Sequence, residues 1–189
     1  MDEINLNGPT AFLDRDGTIM EDTGYPRDPS IVSLCPNASE GLRLLRKKGY
    51  RLVVVSNQAG VGRGIITRNQ FRAVHARFNT LLAEAGIRID QYLYCFHHPD
   101  DGCSCRKPAT GLVESYLRQS PHDQSFMVGD KLSDLELGSN LGMASFLVLT
   151  GEGNKTKEKL GAENTAYKAF PNLLDLAESL EKAGSGASD

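Results

Sequence analysis

Asp14 and Asp16 follow the apolar stretch Thr10-Ala11-Phe12-Leu13 and lead into Gly17 and Thr18. Two apart in an extended segment, the carboxylates share one side while Arg15 points to the other. Acids held that close repel each other unless a cation sits between them or one carries a proton. Gly17 permits a tight turn, and Thr18 offers a hydroxyl to an oxyanion. This is the apparatus of metal-assisted phosphoryl transfer. A solvated acidic turn is the plainer alternative, and later stretches weigh against it. Ser56 and Asn57 offer a hydroxyl and backbone N–H groups to phosphate oxygens, and Lys107 offers a charge to neutralise them. Asp130, with Asp14 and the backbone carbonyl of Asp16, makes a hard oxygen site suited to Mg²⁺. Asp134, one helical turn on, can hold a metal-bound water or orient Lys131. Asp130 and Asp134 alone would equally serve as an N-cap and a first-turn acid.

A second cluster is softer. Cys95, His97, Cys103 and Cys105 place three thiolates and an imidazole in one short loop, enough for a closed tetrahedral Zn²⁺ site. Cys95 ends an expected strand, so His97 falls on its side and His98 on the other. A free-thiol cluster, or a strained Cys103–Cys105 bridge, is the alternative. Four protein ligands leave no open position, so such a zinc would be structural and would fix Arg106 and Lys107 at the phosphate. Arg63, within Gly60-Val61-Gly62-Arg63-Gly64, is a further candidate for an anion contact. Cys35 lies far from the cluster in sequence and reads as a small buried hydrophobe.

Elements must carry these residues to one place. Thr10 to Leu13 reads as a buried strand, and residues 30–34 as a second extended piece after a Gly- and Pro-rich flap. A helix is expected from Asn37 or Ser39 to Lys48, closed by Gly49, then a β-branched strand from Arg51 to Val55. Phe71, Val74, Phe78, Leu81 and Leu82 fall at helical spacing between Arg68 and Ala85. Gln91 to Cys95 is expected as a third central strand, and 111–119 as a helix with Leu112, Val113, Tyr116 and Leu117 inward. Strands at 125–128 and 144–149 flank a helix at 132–141, and an amphipathic helix covers 172–182. This alternation predicts an α/β fold: a doubly wound, Rossmann-like parallel sheet of about five strands with helices on both faces. Ligands bind such sheets at the carboxyl ends of the strands, the edge to which Asp14, Ser56, Cys95 and Asp130 all belong.

A chain of 189 residues with 40% hydrophobic content is expected to form one domain over 1–183, with a flexible Gly- and Ser-rich tail over 184–189. A net charge of −3 with dispersed Lys and Arg gives no electrostatic case for nucleic acid. Apolar runs of only a few residues and an acidic start predict no membrane span, no signal peptide, a cytoplasmic location and a monomer.

The quoted stretches also resemble a known group. Asp14-Arg15-Asp16-Gly17-Thr18, Ser56-Asn57-Gln58, Arg106-Lys107-Pro108 and Gly129-Asp130-Lys131-Leu132-Ser133-Asp134 resemble, in order, the four motifs of haloacid-dehalogenase-like phosphatases. Within them the chain is most similar to the heptose bisphosphate phosphatase and histidinol-phosphatase branch, whose zinc loop matches Cys95, His97, Cys103 and Cys105. Gly24-Tyr25 and Gly62-Arg63-Gly64 look more like the heptose enzymes. The resemblance implies that Asp14 attacks phosphorus and that Asp16 protonates the leaving alcohol and later deprotonates water. It implies Ser56 and Lys107 on the transferring phosphoryl, Arg63 and Arg106 as further anion contacts, and Mg²⁺ on Asp14, Asp16 and Asp130. The implied substrate is a small phosphorylated sugar, reached through an open site without a cap domain. Histidinol phosphate is the alternative substrate, and a receiver-like phospho-acceptor module the alternative of another class.

Overall fold

The computed structural model describes residues 8–118, 124–161 and 166–183. Six parallel strands form one sheet in the order β3-β2-β1-β4-β5-β6. They are β1 (Thr10–Leu13), β2 (Arg51–Asn57), β3 (Gln91–Cys95), β4 (Phe126–Gly129), β5 (Ala144–Val148) and β6 (Lys168–Phe170). The helices are α1 (Ala38–Lys47), α2 (Ala59–Gly62), α3 (Arg68–Glu84), α4 (Gly111–Leu117), α5 (Leu132–Asn140), α6 (Gly153–Leu160) and α7 (Leu173–Ser179).

The two-residue period of the central strands divides the core. Ala11 and Leu13 of β1, Leu52 and Val54 of β2, and Phe126 and Val128 of β4 pack on α1, α3 and α7 through Leu42, Leu45, Phe78 and Leu176. Phe12, Val53, Val55 and Met127 point the other way, onto Val113 of α4 and Leu137 of α5. Burial on both faces explains why these strands read as continuous apolar runs. Thr67 starts the long helix α3 with a capping box: its hydroxyl accepts from Gln70 N, and the Gln70 side chain accepts from Thr67 N.

Several elements differ from expectation. The sheet has six strands instead of about five, because β6 is a short, largely exposed run that shows no apolar alternation. Gln91–Cys95 lies at the sheet edge and not in its centre, with its tyrosines covered by α3. Residues 30–34 do not form a strand. Pro29–Ile31 is a 3-10 turn capped by Asp28, and only Leu34 bridges back, to Met20. The intervals after β1 and β2 hold this strap and the layer helices α1, α2 and α3, with no inserted cap domain. α4 faces inward as expected, with Val113 fully buried and Tyr116 and Leu117 partly buried against the same cluster. The tail over 184–189 and residue 119 lie outside the described residues.

Candidate active site

The strands that end at Leu13, Asn57, Cys95 and Gly129 deliver their next residues to one edge of the sheet, because β1 to β4 run parallel in register. Lys107 reaches that edge from a loop and is almost fully buried. Its ammonium lies 2.7 Å from Asp14 Oδ1, 2.7 Å from Asp134 Oδ1 and 2.6 Å from the Val55 carbonyl. The contacts to Asp14 and Val55 are hydrogen bonds, whereas Asp134 Oδ1 is an ion-pair contact without a hydrogen-bond partner. Burial opposes the charge, but Asp134 and Asp14 more than offset this, so the Lys107 pKa stands above its ordinary value.

Asn57 holds the backbone that carries this lysine. Its side-chain amide donates to Lys107 O at 3.1 Å and accepts from Lys107 N at 3.0 Å. That engagement occupies the Asn57 side chain, whereas the phosphate contact expected there is one from backbone N–H. Asp134 Oδ2 caps α5 by accepting from Lys131 N at 3.0 Å, the first-turn role, and Oδ1 faces Lys107. Lys131 turns instead to Asp22, at 2.8 Å, tying the strap to the head of α5.

Asp14, Asp130 and Asp134 place carboxylate oxygens within 4.8 Å of one another. Glu152 N donates to Asp130 Oδ2 at 2.7 Å, whereas Asp130 Oδ1 is buried without a hydrogen-bond partner. Burial, and then the neighbouring Asp14, push the Asp130 pKa up to about 8. Burial also raises Asp14, in spite of Lys107. One ammonium among three buried acids leaves excess negative charge and an orphaned hard oxygen, so the residues fit a divalent cation such as Mg²⁺. Gly17 is required beside this cluster. Its φ is +88°, and a Cβ would come within 2.1 Å of Asp130 Oδ2.

The turn after β1 departs from the extended geometry expected of it. The strand ends at Leu13, and Ile19 N and Met20 N close onto Arg15 O. Arg15 therefore does not point away but folds onto its neighbour, with Nη2 2.8 Å from Asp16 Oδ1. Gln58 Nε2 donates to Asp16 Oδ2 at 2.8 Å, and Ser56 Oγ lies 3.3 Å from the same oxygen. Sequence pattern assigns Gln58 and Arg15 no role, because a neutral amide and a cation beside a motif have too many surface uses to stand out. Thr150 was missed too. Its hydroxyl donates to Gly17 O at 2.6 Å, and the strand-end rule applied to β5 would have found it.

Cys95, His97, Cys103 and Cys105 converge as a group. Cys95 Sγ lies 3.7 Å from Cys103 Sγ and 3.2 Å from Cys105 Sγ, and His97 Nδ1 lies 3.0 Å from Cys105 Sγ. Zinc bonds of about 2.3 Å give tetrahedral edges of about 3.8 Å, so the donor set and its spacing fit Zn²⁺. His98 faces elsewhere, accepting from Asp100 N at 3.2 Å. The glycine-rich turn has a place here: a Cβ on Gly62 would lie 2.5 Å from the backbone of His97 and His98, so α2 packs directly on the cysteine loop. Arg63 follows it, exposed, and Arg106 lines an open groove with Cys103, Lys107 and Asn140. Arg106 Nη1 is buried without a hydrogen-bond partner.

Known proteins resemble the chain in sequence and fold. The HAD-hydrolase-like family model matches residues 104–176. The chain is 36% identical over 185 residues to the D-glycero-beta-D-manno-heptose-1,7-bisphosphate 7-phosphatase of Escherichia coli K12, covering 92% of this chain and 94% of that one. It is 42% identical over 124 residues to a probable D-glycero-D-manno-heptose-1,7-bisphosphate 7-phosphatase of Thermoplasma volcanium, covering 65% of this chain and 85% of that one. A crystal structure of D,D-heptose 1,7-bisphosphate phosphatase from B. bronchiseptica, complexed with magnesium and phosphate, superposes with a TM-score of 0.81 at 31% identity. That match covers 90% of this chain and 96% of the other. With motif order, sheet topology and near full-length similarity in agreement, the chain belongs to the heptose bisphosphate phosphatase family of haloacid-dehalogenase-like hydrolases.

Proposed function

We propose that the protein is a Mg²⁺-dependent phosphatase that removes the 7-phosphate of D-glycero-D-manno-heptose 1,7-bisphosphate through an aspartyl-phosphate on Asp14. The observation that carries this reading is the convergence of Asp14, Asp130 and Asp134 on the buried Lys107 at the sheet's carboxyl edge. The substrate is supported by the names of relatives that match almost the whole chain. Arg63 and Arg106 favour a doubly anionic sugar over histidinol phosphate.

A carboxylate of Asp14 attacks phosphorus, the bond to the sugar oxygen breaks, and the Asp16 carboxyl passes its proton to that oxygen. Asp16 then takes a proton from water as the water oxygen bonds phosphorus and the acyl phosphate at Asp14 opens, releasing phosphate. Lys107 and Ser56 bind the transferring oxygens. Asp14, Asp130 and the Asp16 carbonyl would hold Mg²⁺, with Asp134 behind them. The bound ion would offset the charge on the phosphoryl oxygens. Because Asp16 carries a proton in both directions, turnover distinguishes this protein from a receiver module, which would keep its phosphate.

In this reading Cys95, His97, Cys103 and Cys105 bind a structural zinc that orders the loop behind Arg106 and Lys107. The enzyme works as a cytoplasmic monomer without nucleic acid. Purified protein with Mg²⁺ should release phosphate from heptose 1,7-bisphosphate with a higher kcat/KM than from histidinol phosphate. A reversed preference, or stable stoichiometric phosphoprotein, would overturn the assignment. Cys103→Ser should lose zinc by metal analysis and part of the activity, on the order of 100-fold if Lys107 shifts by about 1 Å, while far-UV circular dichroism is retained. Full activity in zinc-free protein would separate zinc from Lys107.

A further inference from the structure

Arg15 is a long cation at 1% exposure, and the reaction above gives it nothing to do. A buried guanidinium is costly unless paired, so its partners define its use. Nε and Nη2 donate to Asp16 Oδ1 at 3.1 and 2.8 Å, and Nη2 also reaches Asp16 Oδ2 at 3.0 Å and Gln58 Oε1 at 3.1 Å. Gln58 closes the ring through Nε2, which donates to Asp16 Oδ2 at 2.8 Å and to Ser56 Oγ at 2.9 Å. The far side of the guanidinium rests on aromatic rings, 5.6 Å from the Phe71 centroid and 5.9 Å from that of Tyr94. Tyr94 is steadied in turn by His75, which meets its hydroxyl at 3.2 Å and Asn79 at 3.1 Å.

We propose that Arg15 and Gln58 are positioning residues that hold the Asp16 carboxyl in the one orientation from which it exchanges a proton with the leaving alcohol. The inference rests on the assignment of Asp16 as acid and base. A carboxylate offers about four acceptor positions, and those of Asp16 are crowded by Arg15, Gln58 and Ser56. The Ser56 contact, at 3.3 Å, is the longest. Ser56 is also the hydroxyl assigned to phosphate, so an arriving phosphoryl group would draw it from Oδ2 and leave Arg15 and Gln58 as the groups that fix the carboxyl. Arg15 and Gln58 are both buried and stay in place.

The test compares leaving groups. The kcat/KM value reports phosphorylation of Asp14, a step in which a sugar alkoxide needs a proton and 4-nitrophenolate does not. Asp16→Asn sets the reference, and its ratio of kcat/KM on heptose bisphosphate to kcat/KM on 4-nitrophenyl phosphate should fall about 100-fold. Gln58→Leu and Arg15→Gln should lower that ratio by about tenfold or more. Should Arg15→Gln fail to fold, Gln58→Leu, close in size and without a charge to strand, carries the test. A Gln58→Leu enzyme that loses both activities equally, or neither, would overturn the inference while Asp16→Asn still shifts the ratio. A ratio unmoved by Asp16→Asn would overturn the acid–base assignment and this inference with it.

Discussion

Lys107 is the residue whose chemistry is most constrained by its surroundings. Its three contacts are two carboxylates and a carbonyl, so a phosphoryl oxygen can approach its ammonium only by displacing one of them. Asp14 is the one that changes during the reaction: once phosphorylated it carries the oxygens that Lys107 would otherwise lack. Lys107→Met should keep the side-chain volume, strip the charge and lower kcat by about 100-fold or more, the scale of losing one preorganised donor to a developing oxyanion. Steady-state kinetics with saturating Mg²⁺ checks this, and a loss below about threefold would remove Lys107 from the phosphoryl site. Residues of this kind were legible in the sequence because charged groups after apolar strands demand partners. Gln58 was not, since its role depends on Arg15 lying inward, and strand periodicity places Arg15 outward. The turn at Arg15 O, which breaks that periodicity, depends on backbone bonds that side-chain pattern does not encode.

At the scale of elements, the contact between α2 and the cysteine loop joins two stretches that sequence could only treat separately. A Cβ at Gly62 would come within 2.5 Å of His97 C and His98 N and 2.6 Å of Phe96 O, all backbone atoms that cannot swing aside. Gly62→Ala should therefore displace the loop, cost about 1–3 kcal/mol, and release zinc to a chelator faster than wild type. Gly64→Ala is strained by its φ of +67° and should also cost stability, but its Cβ meets nothing within 4 Å, so without a clash on the loop its zinc release should stay nearer wild type than that of Gly62→Ala. Equal release rates for wild type and Gly62→Ala would dissolve the link between the two elements. The edge formed by α3 and β3 makes a second prediction. His75 stacks on Phe71 and is hydrogen-bonded by Asn79 and Tyr94. Burial, and then the charge of Arg15, lower its pKa from the ordinary 6.5. The unfolded chain therefore takes up the proton first as pH falls, so stability is lost below about pH 6.5 until the folded imidazole also protonates. Between about pH 7.5 and pH 5 the Tm of wild type should fall more steeply than that of His75→Gln. Parallel slopes would exclude His75 as a contributor. This edge also marks where sequence reading reaches its limit: apolar content identified β3 as a strand, but strand order depends on which helices cross which face. For the opposite reason α6 and β6 went unread, since α6 buries only Gly153 and Thr156 and carries no apolar stripe.

Across the whole molecule the two ends of the sheet divide the work. The carboxyl ends carry the acids, the lysine and the cysteine loop, while near the amino end of β2 the last turn of α7 meets Lys48. α7 lies on α1, burying Leu173, Leu176 and Ala177, and its final turn is capped from α1's side by Lys48. The Lys48 ammonium donates to Ala177 O at 2.7 Å, to Glu178 O at 3.2 Å and to Leu180 O, and Ala183 N returns a bond to Lys48 O at 2.8 Å. A cation at that end also meets the negative pole of the helix. Lys48→Met keeps the aliphatic stem and leaves those carbonyls to water, which should cost about 1–2 kcal/mol and lower Tm by about 3–8 °C. Because Lys48 precedes β2 and the reacting residues follow the opposite ends of β1, β2 and β4, kcat/KM should stay within about twofold of wild type, a change worth less than about 0.5 kcal/mol. Thermal melts and phosphate release on the same preparation decide it. An unchanged Tm would mean that α7 is held by apolar packing alone, and a large loss of activity at unchanged Tm would mean that the two ends of the sheet are coupled.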